Sequence, residues 1–149
     1  MPPRTVTYSR NVFLPLTTVC RNRCGYCGFR RPVGPGSIMR PEEVAGVLAH
    51  GAATGCTEVL FTFGERPGEV PGFPDLLKML GYTDIIGYCE AMCRMSIAAG
   101  LLPHTNAGLL SREEMARLRL VNASMGLMQN LPRESPKPAF PDPCRRSRR

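Results

Sequence analysis

The sequence predicts an α/β protein built on a parallel sheet. Two observations carry this. Apolar strand-like runs alternate with amphipathic helical segments in the order β-α-β-α-β-α-β, and helix start and stop signals fall between the runs. Alternation of this kind implies strands joined by crossover helices.

Asn11–Thr17 (Asn-Val-Phe-Leu-Pro-Leu-Thr) reads as strand one, with Pro15 placing it at a strand end or sheet edge. Residues 18–38 are rich in Gly, Arg and Cys and read as a long loop. Pro41-Glu42-Glu43 opens a helix, since proline suits the first helical position and acids suit the positive N-terminal dipole. Val44, Val47, Leu48 and Ala52 follow at helical spacing, and Gly55 is the stop. Glu58–Phe63 is the clearest strand; a loop with Pro67, Pro71 and Pro74 follows it. A helix is expected over about 83–99, with Ile86, Cys89, Cys93 and Ile97 on one face. Residues 101–106 read as strand three, ended by His104 and its neighbours. Ser111-Arg-Glu-Glu114 is a capping-box pattern opening a last helix, with Met115, Leu118 and Val121 inward. Residues 123–128 would be strand four. Met92, Met95, Met115, Met125 and Met128 read as core, and His50 as a surface residue.

Composition narrows the class. With 43% hydrophobic and 21% charged residues the chain is an ordinary globular sequence rather than a disordered one. No apolar run spans a membrane and no secretory signal is visible, so the expectation is a cytoplasmic protein with no membrane partner. The net charge of +7 suggests nucleic acid until it is divided along the chain. Residues 1–41 hold seven basic and no acidic side chains; 42–131 hold six basic and ten acidic; 132–149 hold six basic and two acidic. The positive charge is in two blocks around an acidic middle. Only Tyr26 and Phe29 lie near the arginine cluster, so no nucleic-acid partner is expected.

Seven cysteines in a chain without a secretory signal argue against a disulfide framework. Cys20, Cys24 and Cys27 are the sharpest feature. Three thiolates within eight residues, on a loop after a strand, can converge on one metal centre. An iron–sulfur cluster uses such ligands, and three in place of four leave one iron open for chemistry. Arg21, Arg23, Arg30 and Arg31 would favour the thiolate form. A structural zinc site and unligated loop thiols are the alternatives. Cys89 and Cys93, four apart on a helix, have no third ligand and read as core.

Cys-x-x-x-Cys-x-x-Cys with Tyr26 before the last cysteine resembles the cluster loop of radical S-adenosylmethionine enzymes. Four segments, Tyr8–Arg30, Leu60–Pro67, Gly100–Gly108 and Val121–Met128, resemble the CofG-type 7,8-didemethyl-8-hydroxy-5-deazariboflavin (FO) synthase family in order and spacing. The resemblance covers about residues 5–131. It implies that Cys20, Cys24 and Cys27 ligate a [4Fe–4S] cluster whose open iron binds the methionyl group of S-adenosylmethionine. It places Tyr26 near the adenine. It places Gly64 and Glu65 at the end of strand two, near the methionyl ammonium, although Phe63 replaces the first glycine of the family's Gly-Gly-Glu motif. A glycine lets a ligand approach the backbone and a carboxylate pairs an ammonium; a solvated acid paired with Arg66 is the alternative for Glu65. Ser124 would face the ribose, or serve as an ordinary buried or edge serine.

The resemblance further implies an ammonia-releasing lyase of deazaflavin biosynthesis. Its small-molecule substrate is a hydroxybenzyl–ribityliminouracil intermediate, made by a CofH-type partner radical enzyme and closed to the 5-deazariboflavin ring through a radical derived from S-adenosylmethionine. The alternative is a non-catalytic iron–sulfur or zinc-binding fragment. The family's barrel is about twice this length, so residues 1–131 are expected to form the N-terminal half of a (β/α) TIM-type barrel. Residues 132–149 carry five prolines and six basic residues and are expected to be a disordered tail. The abrupt switch reads as a natural or deliberate truncation or, preferably, as a frameshift near residue 130.

Overall fold

The computed structural model describes residues 4–25 and 27–127. Four strands, β1 (Asn11–Thr17), β2 (Glu58–Phe63), β3 (Leu102–Ala107) and β4 (Ser124–Leu127), form one sheet in the order β1-β2-β3-β4, every neighbour parallel. Between them run helices α1 (Pro41–Ala53), α2 (Phe73–Met79), α3 (Ile85–Ala98) and α4 (Arg112–Arg119). This is the expected α/β architecture with sequential parallel strands. The expected tail, 132–149, lies outside the described residues, as does Met128.

One face of the sheet is packed against helices. Leu14 and Leu16 of β1, Val59, Phe61 and Phe63 of β2, and Thr105 and Ala107 of β3 are buried there. They meet Val44 and Leu48 of α1, Phe73 and Leu77 of α2, Ile86, Tyr88, Cys89, Met92 and Cys93 of α3, and Leu118 of α4 in one hydrophobic cluster. Tyr88 is fully buried, and its hydroxyl donates to the Met39 carbonyl at 2.6 Å, tying α3 to the start of α1. Burial holds that phenol well above its ordinary pKa.

Helix ends follow the expected chemistry. Ser111 Oγ accepts from the Glu114 N–H at 3.2 Å while Glu114 accepts from the Ser111 N–H at 2.6 Å, a complete capping box. Glu43 likewise accepts from the Arg40 N–H at 2.6 Å. Gly55 takes a positive φ of 79° after α1, as a helix-terminating glycine does. Asp84 caps α3 by accepting from the Gly87 N–H at 2.7 Å.

Some expectations are corrected. The proline-bearing segment after β2 is not a plain loop. Pro67 begins a single 3-10 turn (Pro67–Glu69) and Pro74 sits in the first turn of α2, positions where a missing N–H costs nothing. The inward stripe of α1 is Val44, Leu48 and Gly51, whereas Val47 and Ala52 are exposed. A Cβ at Gly51 would lie 2.2 Å from Val12 Cγ2, so glycine lets α1 press on β1. On α3 the stripe ends at Ser96, which donates to the Cys93 carbonyl at 2.8 Å, and Ile97 is exposed. Met115 and Met125 are also exposed: Met115 lies on the outer side of α4, and Met125 is in β4, which ends the sheet with no further strand beside it among the described residues. β3 begins and ends one residue later than expected, which puts His104 inside the strand rather than at its end.

Candidate active site

The C-terminal ends of β1, β2 and β3 lie side by side in the parallel sheet and lead into three loops. A register shift at Thr17 ends β1. Thr17 Oγ1 donates to the Ser37 carbonyl at 2.6 Å and accepts from the Val19 N–H at 3.1 Å. The Thr18 N–H bonds the Ser37 carbonyl and the Arg31 N–H bonds the Thr18 carbonyl, each at 3.1 Å. These bonds close the stem of the loop that carries Cys20, Cys24 and Cys27.

Cys20 is fixed against the end of β2. The Glu65 N–H donates to Cys20 Sγ at 3.2 Å, and the Arg21 N–H donates to the Glu65 carbonyl at 2.8 Å. A Cβ at Gly64 would fall 2.5 Å from Cys20 Cβ and 2.6 Å from the Val19 carbonyl oxygen. Glycine at 64 is therefore required for the cysteine loop to seat on β2. Cys24 is half-buried and Cys27 exposed, with the Cys27 N–H on the Cys24 carbonyl at 3.1 Å. Arg30 Nε donates to the Cys20 carbonyl at 3.3 Å, so part of the basic block serves as scaffold. Among the described residues no three Cys, His, Asp or Glu side chains converge closely enough to hold a metal ion; the structure places the three cysteines on one anchored loop without gathering their thiols at a point. Tyr26 lies outside the described residues.

Glu65 is the electrostatic hub of the mouth. Its side chain is only 11% exposed. Oε2 accepts from the Leu109 N–H at 2.7 Å, and Oε1 lies 3.3 Å from Arg21 Nη2 and 3.9 Å from Arg66 Nε. Its main partners are thus the β3 loop and Arg21, rather than Arg66. Arg21 also pairs with Glu69, and that hydrogen bond raises the pKa of its guanidinium above the ordinary value. Arg66 adopts the left-handed region at φ 42°, a costly conformation for a residue with a Cβ, and is held by Glu114 at 2.7 Å. A Cβ at Gly108 would come within 2.3 Å of Glu65 Oε2. Leu109 was not singled out from the sequence, Glu114 was read there only as part of a helix cap, and Gly108 only as the end of a resembling segment. Gly108 carried a signal, a glycine directly after a strand.

The second face of the sheet carries no helix among the elements described. Its rows run Phe13, Leu60, His104, Ser124 and, nearer the mouth, Pro15, Thr62, Asn106, Gly126. Ser124 is exposed at the start of the edge strand β4, and its Oγ lies 2.5 Å from His104 Nδ1. Phe29 of the cysteine loop contacts Phe13 with ring centroids 6.4 Å apart. On the covered side, Cys89 and Cys93 are fully buried around Thr105 Oγ1, which donates to Asn122 Oδ1 at 2.7 Å. Their thiols interact: the hydrogen bond between them and burial push Cys89 up, and that same bond holds Cys93 down. No third ligand accompanies them among the described residues, in keeping with core packing.

A parallel sheet whose mouth carries a Cys-x-x-x-Cys-x-x-Cys loop defines a radical S-adenosylmethionine protein, and the sequence matches the Radical SAM superfamily over residues 14–127. The chain belongs to that superfamily. Within it, the chain is 64% identical over 128 residues to the 7,8-didemethyl-8-hydroxy-5-deazariboflavin synthase of Methanoregula boonei, covering 86% of this chain and 39% of the relative. The synthases so named from Methanosphaerula palustris and Methanothermobacter thermautotrophicus are 60% and 50% identical, each match covering 83% of this chain and 38% of the relative. The chain thus spans under two-fifths of the length of these curated relatives. The fold is shared with the crystal structure of methylornithine synthase (TM-score 0.58, 19% identity, 78% of this chain and 32% of that one). No helix among the described residues is long and apolar enough to cross a membrane.

Proposed function

We propose that this chain is the cluster-bearing part of a radical S-adenosylmethionine enzyme of deazaflavin biosynthesis. The finer reading is an ammonia-releasing FO synthase, acting in the cytoplasm on a hydroxybenzyl–ribityliminouracil intermediate supplied by a CofH-type partner enzyme. The observation that carries it is the seating of the cysteine loop on Gly64-Glu65, within a chain 64% identical to a synthase of that name.

The residues suit the cofactor pair. Cys20, Cys24 and Cys27 would hold a [4Fe–4S] cluster, which when bound supplies the electron that cleaves S-adenosylmethionine. The Glu65 N–H on Cys20 Sγ is the kind of hydrogen bond to sulfur that tunes a cluster's potential. Arg21, Arg30 and Arg31 surround the loop with positive charge, favouring thiolates. Gly64 keeps the Cys20 backbone close to β2, and Glu65 offers a largely desolvated carboxylate to the methionyl ammonium, in competition with Arg21. Tyr26 would lie by the adenine and Ser124 by the ribose. The uncovered sheet face, running up to the mouth, would take the small-molecule substrate, as barrel enzymes use the C-terminal ends of their strands.

Anaerobic reconstitution tests this. About four irons per chain and reductive cleavage of S-adenosylmethionine are expected. Zinc uptake, or a cluster without cleavage, would reduce the chain to a metal-binding fragment. Alone, the chain is expected to form little or no deazaflavin; robust formation with only the partner enzyme added would overturn that.

A further inference from the structure

The open face of the sheet holds a polar group that nothing among the described residues satisfies. Asn106 Oδ1 is buried and has no hydrogen-bond partner among the described residues. An unpaired buried acceptor costs about 1–3 kcal/mol, so its retention calls for a partner from outside the described structure. Asn106 alternates with the buried Thr105 and Ala107, which places it on the uncovered side of β3, two residues before Gly108 at the mouth.

Its neighbours on this face are polar or small. Across the register Asn106 faces Gly126 of β4. A Cβ at Gly126 would lie 3.1 Å from His104 Nε2 and 3.8 Å from Asn106 Cγ. Glycine at 126 therefore lets the His104 ring lie over β4 beside Asn106. His104 is oriented by its Nδ1 contact with Ser124 Oγ, which leaves Nε2 turned toward Gly126. Thr62 of β2 adds a hydroxyl on the other flank of Asn106.

We infer that Asn106 is a specificity-determining residue that pairs with the amide edge of a pyrimidinedione ring, an N–H beside a C=O, with His104 Nε2 as a neighbouring polar contact. The inference rests on the proposed function, which puts a ribityl-substituted uracil on this face. A carboxamide presents one acceptor and two donors, the complement of that edge. The match survives exchange of the amide oxygen and nitrogen, because a cyclic amide edge offers both a donor and an acceptor. The adenine of S-adenosylmethionine also presents a mixed donor–acceptor edge, so the test separates the two ligands.

Isothermal titration of the reconstituted protein with a ribitylaminouracil, its ring-N3-methyl analogue and S-adenosylmethionine provides the test. The native protein is expected to prefer the unmethylated uracil by about tenfold or more, the scale on which a site built around a hydrogen bond rejects a ligand lacking it. Asn106→Leu and Asn106→Ala are expected to reduce that preference to within about twofold, with S-adenosylmethionine affinity unchanged. Their melting temperatures should equal or exceed the native value, since an unpaired buried oxygen is removed. Asn106→Leu that keeps the full preference overturns the inference, as does an equal loss of S-adenosylmethionine affinity or a fall in melting temperature that accounts for the loss of binding. A native protein that cleaves S-adenosylmethionine but binds neither uracil removes the substrate reading itself, and the inference with it.

Discussion

The two faces of this sheet are made from the same strands yet obey different rules. On the covered face, Leu14, Leu16, Val59, Phe61 and Phe63 are sealed under four helices, and the polar side chain admitted there, Thr105, has its hydrogen bonds met by Asn122 and two thiols. On the open face Phe13 is 48% exposed, Ser124 is exposed, and Asn106 keeps an oxygen unpaired among the described residues. The first face is complete in itself and carries stability. The second, with the mouth above it, is incomplete in itself and is where the proposed chemistry would sit. The cysteines divide the same way: Cys89 and Cys93 are buried in the core, and Cys20, Cys24 and Cys27 are placed on an anchored, more accessible loop.

The largest effect should separate these regions outright. Replacing Cys20, Cys24 or Cys27 by Ser is expected to abolish the visible iron–sulfur absorption of reconstituted protein and its cleavage of S-adenosylmethionine. The melting temperature before reconstitution should hardly move. Cys89→Ala should leave iron content intact and cost stability instead. Iron retention by the Cys20→Ser protein would break the comparison.

Next comes the covered face itself. Phe61 is fully buried, and Phe61→Ala should destabilise the fold by about 3–5 kcal/mol. Leu60, its half-buried neighbour on the open face, should cost clearly less on truncation, about 1 kcal/mol. Denaturant titration of the two variants measures the difference. Equal losses would mean that the open face is covered in solution.

That contrast also sets how far the sequence could be read. Strands β1 and β2 were legible to the residue, because local apolar runs with sharp polar ends encode them. The Ser111 box was legible because capping is a local contest for a few N–H groups. What failed was non-local. Ile97 and Met115 have apolar side chains at helical spacing, yet which way a helix rolls depends on what it packs against. The prolines at 67 and 74 were read as loop markers, although proline is equally at home in a first turn. In the site, the cysteine spacing was visible at once. The reasons for Gly64 and Gly108 were not, since each is dictated by a residue 44 or 43 positions away in sequence, Cys20 and Glu65. Asn106 gave no signal at all: an unpaired oxygen is a property of the folded surroundings.

Gly64→Ala should have an intermediate effect, at the point where the covered face meets the mouth. The new methyl would sit 2.5 Å from Cys20 Cβ and 2.9 Å from its Cα, contacts that backbone cannot relieve cheaply. Overpacking of this kind costs about 1–3 kcal/mol. The cysteine loop should shift away from β2, breaking the Glu65 N–H bond to Cys20 Sγ. Reconstituted Gly64→Ala should bind iron poorly while its far-ultraviolet circular dichroism stays native. A variant that reconstitutes normally would show that the loop seats elsewhere when loaded.

The smallest effect belongs to the N-cap of α3, which supports the covered face alone. Asp84→Ala should cost about 1 kcal/mol by freeing the Gly87 N–H. Burial works to raise the Asp84 pKa, but the Gly87 N–H and Arg117, 3.4 Å away, outweigh it and hold the carboxyl below its ordinary 3.8. A carboxylate depressed in the folded state contributes stability above its unfolded value, and that contribution is lost as pH falls through the folded value. The native chain should therefore lose melting temperature on acidification below about pH 4 more steeply than Asp84→Asn, which keeps a capping oxygen but no titrating charge. Because Asp84 is 46% exposed, solvent screens the Arg117 pair and the difference in slope should be small. Iron binding should be the same in both proteins at neutral pH, for the cap lies on the helix-covered side, away from the cysteine loop. Parallel acid profiles would assign the cap's strength to its hydrogen bond alone, with no part for its charge.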